Sequence, residues 1–228
     1  GSVVGGSGFQ SGAVGSSRPL GAVNIANNVI GGVGDSSGQI VSSATIKNVT
    51  IGGNVIGGEG SESGAIGSNE KLGPVEITGN LEGGIGFRSG IITSGTSIPS
   101  VTISGNIVGG AEISSGAIVS EGTIGAVEIL GNVFGGDGMF SGAITASTTI
   151  SKVTIGGSLT GGYGSFSGLI ETFGESEGGT GDMGTITVVG AIQGGDGSDS
   201  GKGFSSGKLK KSEPDERHKI LPTARWVL

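Results

Sequence analysis

The chain has 228 residues, 54 of them Gly and five Pro, and a formal net charge of −7. It has no Cys and a single His, His218, which excludes disulfides and thiolate metal sites and leaves little material for histidine-based triads. An acidic body disfavours nucleic acid, and no run of about 18 apolar residues encodes a membrane span.

Gly1-Ser2 reads as an appended scar, with an export signal expected upstream of the chain. From residue 3 the sequence repeats. Gly-Gly pairs stand at 5, 31, 57, 83, 109, 135, 161 and 194, a step of 26 residues until the last, which is 33. Each unit carries a Gly-rich stretch, a Ser-Gly-x-Ile segment, a V-x-I pair and a Gly-Asn step. Glycine this frequent would suggest disorder, but the apolar residues are mostly Val, Ile and Leu, which suit strands.

Four apolar rows recur through the units. One is Val29, Val55, Leu81, Ile107, Val133 and Leu159; a second is Ile40, Ile66, Ile92, Ile118, Ile144 and Ile170. A third is Ile46, Leu72, Ile98, Ile124 and Ile150. The fourth is the V-x-I pair, from Val49/Ile51 to Val153/Ile155. Period two is the strand signature, with both apolar residues on one face. Strands this short are stable only when each unit stacks on the next and turns every apolar row into an internal ladder. The expected fold is all-β, a parallel β-helix (β-solenoid) with 26-residue coils, about three short strands per coil and a small C-terminal cap. The solenoid should cover 3–207 in seven to eight coils, with a longer coil at 159–191.

Two polar rows accompany the ladders. Asn28, Asn54, Asn80, Asn106 and Asn132 should stack and hydrogen-bond along the rod. Ser11, Ser37, Ser63, Ser89, Ser115, Ser141 and Ser167, each followed by Gly, read as corner fixtures, since the body holds no histidine base to activate them. Gly and Asn at the corners are expected to supply left-handed or otherwise restricted backbone. The middle residue of V-x-I should face outward: Asn24, Thr50, Glu76, Thr102, Glu128, Thr154. Its Glu residues on alternate coils avoid like charges on adjacent strands, and they also break a Thr row of the kind an ice-binding plane needs.

Further along, "ETFGESEGGTGDMG" at 171–184 lengthens one coil by seven residues and gathers Glu171, Glu175, Glu177 and Asp182. A long loop on a rigid scaffold is a natural ligand site, and clustered carboxylates suit carbohydrate chemistry. The plain alternative is a solvated acidic loop, and no catalytic residue is named. "GGDGSD" at 194–199 fits one calcium-repeat hexad and makes Asp196 and Asp199 weak calcium candidates, but the other coils lack the repeated Asp. No other metal or cofactor is expected.

The tail 208–228 breaks the pattern. Six cations stand against three anions, giving +3 and leaving −10 for the rest. Ser212, Pro214 and Asp215 could start a short helix, and Trp226 is the only Trp. The tail reads as a cap over an open solenoid end, or as an appended basic segment.

The unit "VTIGGNVIGGEGSESGAIG" resembles the Gly-rich tandem repeats of large secreted bacterial surface proteins, the adhesin-like β-helix class, and the resemblance spans 3–207. It implies export and a stalk, fibre or surface-layer role, and carries over no catalytic residue. The expectation is a non-enzymatic structural or adhesive segment of a secreted or cell-surface bacterial protein. Its partners would be glycans or other surface proteins, with end-to-end or side-by-side self-association. The alternative is a carbohydrate-binding or carbohydrate-active β-helix with its site near the 171–184 loop.

Overall fold

The computed structural model describes residues 1–174, 181–205 and 226–227. The described residues form three parallel sheets, and each coil passes once through each sheet. The first sheet has eight two-residue strands, from Val3–Val4 to Ile192–Gln193. The second has nine, from Val14–Ser16 through Gly203–Ser205 to Trp226–Val227. The third has seven, from Leu20–Ile25 to Asp182–Val188. At roughly 4.8 Å per coil, eight strands make a rod of roughly 35 Å.

The register is that of the sequence repeat. Val29 pairs with Val55, Ile40 with Ile66 and Val101 with Val127, each 26 residues on. Across the longer coil the step becomes 33, with Ile150 opposite Met183 and Leu159 opposite Ile192. The seven extra residues are therefore absorbed at the corner between the second and third sheets, without disturbing the stack.

The expected apolar rows fill the interior. From Val29 to Ile170 every residue of the four rows is at most 1% exposed. At the open edge of the first coil, Val14, Leu20, Val23 and Ile25 are only half-buried, because no strand lies beneath them. The outward row of the third sheet is as expected, with Thr50 opposite Glu76 and Thr102 opposite Glu128.

The polar rows do their work at different corners. After the first sheet, each Ser from Ser37 to Ser167 is buried and its Oγ accepts from a backbone N–H five residues earlier: Gly58 N–H donates to Ser63 at 3.0 Å and Gly84 N–H to Ser89 at 3.0 Å. This bond closes a turn within one coil. After the third sheet, the Asn Oδ1 accepts from the backbone N–H of the Asn one coil on, at 2.8 Å for Asn54 to Asn28 and for Asn80 to Asn54. The ladder thus runs from side chain to backbone more than from side chain to side chain. Ser2 stands in the same row and accepts from Asn28 N–H at 3.3 Å.

Glycine has the expected left-handed role at one corner and a different one elsewhere. Positive φ occurs at the Gly after each corner Ser, such as Gly64 at 66°, and at the non-Gly residue before it, such as Glu62 at 56°. The Gly-Gly pairs and the Asn row have no positive φ. They are crowded instead. A Cβ on Gly84 would collide with the Gly58 carbonyl oxygen of the preceding coil, and a Cβ on Gly79 with Asn54 Oδ1. The stack spacing sets these glycines, since backbone lies where a side chain would go.

A second polar corner row escapes the sequence reading. Ser42, Ser68, Ser94 and Ser120 point inward at the end of the second sheet, all at most 5% exposed. Their hydroxyls donate to corner carbonyls, as from Ser94 to Glu70 at 2.7 Å. Two residues after each inward Ile, the same 26-residue spacing marks this row; it gives way to Ala146 and Thr172 in later coils.

Candidate functional site

The outward faces of the three sheets differ. The third carries Thr, Glu, Lys and Asn. All eleven exposed large hydrophobic residues among the described residues lie on the first sheet or its two flanking corners; Phe9, Val33, Ile85 and Tyr163 are the most exposed, at 60% or more. The second sheet holds a groove instead. Its outward row runs Val41, Gly67, Thr93, Val119, Thr145, Glu171. One rim is formed by the positive-φ residues of the corner before it, among them Glu62, Arg88, Phe140, Phe166 and Asp199.

At its C-terminal end the groove is covered by aromatic rings. Phe140 stacks on Phe166 of the next coil at 5.0 Å between centroids. Phe140 also meets Phe173, from the far side of the second sheet, edge-on at 6.3 Å. Over this stretch Thr145 is 5% exposed, and Glu171 stands one coil on from it in the same row. Glu171 Oε2 is buried with no hydrogen-bond partner among the described residues. Burial, and then the nearby charge of Asp199, push the Glu171 carboxyl up from the ordinary 4.5 to about 7.

Two of the four carboxylates at 171–184 lie among the described residues. Glu171 belongs to the strand Ile170–Thr172, and Asp182 opens the strand Asp182–Val188 opposite Thr149. Glu175 and Glu177 lie outside the described residues, as do Ser212, Pro214 and Asp215 of the tail. Of the two calcium candidates, Asp196 is exposed, and Asp199 holds Lys202 Nζ at 2.6 Å. That contact is to Oδ1 of Asp199. Among the described residues no three or more His, Cys, Asp or Glu side chains gather as a metal cluster would.

Toward the N-terminus the groove opens to a volume of about 320 Å³. Here Gly67 leaves the outward row without a side chain, between Val41 and Thr93. Gln39, Glu62, Arg88, Asn69 and Glu121 line the opening. Arg88 Nη2 donates to Thr93 Oγ1 at 3.2 Å, and its Nε lies 4.0 Å from Glu62 Oε1. Sequence reasoning missed this end, since Gly67 is one glycine among 54 and only its outward place in the sheet singles it out.

No family model, no curated protein and no solved structure matches this chain. What is established is the architecture, an all-β parallel β-solenoid of repeated coils.

Proposed function

We propose that the chain is a non-enzymatic structural segment of a secreted or cell-surface bacterial protein, serving as a rigid stalk or presentation scaffold. The observation that carries this reading is the unbroken coil-to-coil register. Six consecutive coils keep their inward residues and corner bonds while their outward residues vary, and the 33-residue step leaves the stack intact. Such a rod gains length coil by coil at constant cross-section, which is what a spacer needs. The apolar side around the first sheet supports lateral contact with other surface proteins or with a second copy. Antibodies against the chain should label intact producing cells. Labelling only after permeabilisation would sink the reading.

A second reading has its own observation. Glu171, half-buried and pushed up to about 7 by burial and by the charge of Asp199, has the character of an acid–base carboxyl in a carbohydrate site near the 171–184 segment. Incubation with a panel of plant and bacterial polysaccharides tests it. Chain shortening that is lost in Glu171→Gln would favour an enzyme over a stalk.

A further inference from the structure

The open end of the groove contains an amide that the fold does not use. Gln39 is 5% exposed and lines the opening, yet its side chain makes no hydrogen bond among the described residues. The amide is not sealed in: it reaches the opening, and its donors and acceptors are left to whatever fills that opening. The same place holds Ala65, Ala117 and Ala143 in other coils. This coil keeps the amide. Arg88 lines the same opening: its guanidinium is anchored through Nη2 on Thr93, and its Nε is buried without a hydrogen-bond partner.

The chemistry of the opening narrows its ligand. Glu62 and Glu121 outnumber the single guanidinium, so the groove repels anions, nucleic acid and acidic sugars included. The backbone of the floor is committed to coil-to-coil bonds, as from Ile66 N–H to the Ala65 row's next carbonyl, that of Ile91, at 2.8 Å. An extended peptide therefore cannot add itself as a strand here, and recognition falls to side chains. Those side chains are planar forks: the amides of Gln39 and Asn69, the Arg88 guanidinium and the carboxylates of Glu62 and Glu121. Together they offer both donors and acceptors, which a hydroxyl, itself donor and acceptor, can use. Val41 gives the opening an apolar wall, with Ala65 and Ile91 buried behind it. From Gln39 to Glu121 the opening follows about three coil steps, roughly 14 Å along the rod.

We propose that the groove over the second sheet, from Gln39 to Glu121, is a binding site for a neutral oligosaccharide lying along the rod, with the Gln39 amide donating to and accepting from its hydroxyls and the Arg88 guanidinium donating to them. The site needs neither the stalk reading nor the Glu171 end of the groove.

The test uses the full chain and neutral hexasaccharides of β-1,4-glucan, β-1,4-xylan, β-1,3-glucan and α-1,4-glucan, with a hexagalacturonide as the acidic counterpart. Binding is read by calorimetry and by saturation-transfer NMR, and folding by thermal melts. At least one neutral hexasaccharide should bind, and the acidic one should not. Gln39→Ala should melt at or above the wild-type temperature while binding falls about tenfold or more. Gly67→Val, which puts the side chain of Val41 and Val119 into the opening, should abolish binding while the rod still folds. Should Gly67→Val unfold, Arg88→Ser, the residue type at the same place in the coils of Ser36 and Ser114, takes over as the second variant and should weaken binding by about tenfold. The proposal is overturned if no neutral hexasaccharide binds, if the acidic one binds better, or if folded variants bind as the wild type does. Unchanged binding in a more stable Gln39→Ala protein would mean that water alone serves the amide.

Discussion

Along the second sheet the inward row keeps one residue type through six coils: Ile40, Ile66, Ile92, Ile118, Ile144, Ile170. One position later the outward row runs Val41, Gly67, Thr93, Val119, Thr145, Glu171. The two rows are chain neighbours with the same register and spacing, so the difference lies in what surrounds them. The inward residue touches the interior and the coils on both sides, and a change of volume there is felt throughout the stack. The outward residue meets water or a groove wall, where almost any side chain is tolerated. Repetition in this chain therefore marks the scaffold, and departures from repetition mark the places with other uses.

Substitutions can break that contrast at graded strength. The largest effect is expected inside. Ile103 is fully buried between Ile77 and Ile129, and Ile103→Asp places a carboxyl in a shared ladder. A loss of about 5 kcal/mol is expected, seen in denaturant unfolding as collapse of the whole array rather than of one coil. Thr102→Asn, next to it but outward, should unfold as the wild type does. Equal effects at the two positions would refute the assigned register.

The second test separates glycines that look identical in sequence. Gly84→Ala drives a Cβ into the backbone of the coil below and should cost about 3 kcal/mol. Gly21→Ala meets nothing within 4 Å and should stabilise by about 0.5 kcal/mol through the unfolded chain. Thermal melts of the two proteins should move in opposite directions.

The third lies at a corner. Asn80→Ala removes the acceptor of Asn106 N–H, a 2.8 Å bond between coils, and should cost about 1–2 kcal/mol. Hydrogen exchange at the Asn106 amide should rise in step with that loss.

The smallest effect belongs outside. The folded protein holds Glu171 protonated up to about 7, whereas the unfolded chain releases that proton near the ordinary 4.5. The folded state binds the extra proton within this window, so stability falls as pH rises from about 4.5 through about 7. The carboxyl is half-exposed, and solvent screening reduces the effect to about 1 kcal/mol. Glu171→Gln should flatten that part of the melting-temperature profile relative to the wild type.

The architecture was legible because its cause is periodic. Val49/Ile51 and their successors announce strands, and a 26-residue step repeated without drift leaves stacking as the way to bury them. The reason for the glycines was less legible. A positive φ and a crowding carbonyl both select Gly, and only three-dimensional neighbours tell Gly64 from Gly84. The carboxylates at 171–184 form a cluster in sequence. In the fold Glu171 joins a strand, and the charge that acts on it is that of Asp199, 28 residues on and in the next coil. The opening at Gly67 was invisible for the opposite reason, since it consists of a missing side chain.

The Asn row has one more consequence. Each acceptor belongs to the earlier coil and each donor to the coil that follows: Asn28 Oδ1 receives the Asn54 amide, and Asn132 Oδ1 receives the Ser158 amide. A chain that emerges N-terminus first has its acceptors in place before the matching donors arrive. Every finished coil is then a template for the next, while growth in the opposite sense would meet amides with nothing yet to receive them. The rod has a leading and a trailing end, like a filament whose subunits were joined before they were assembled.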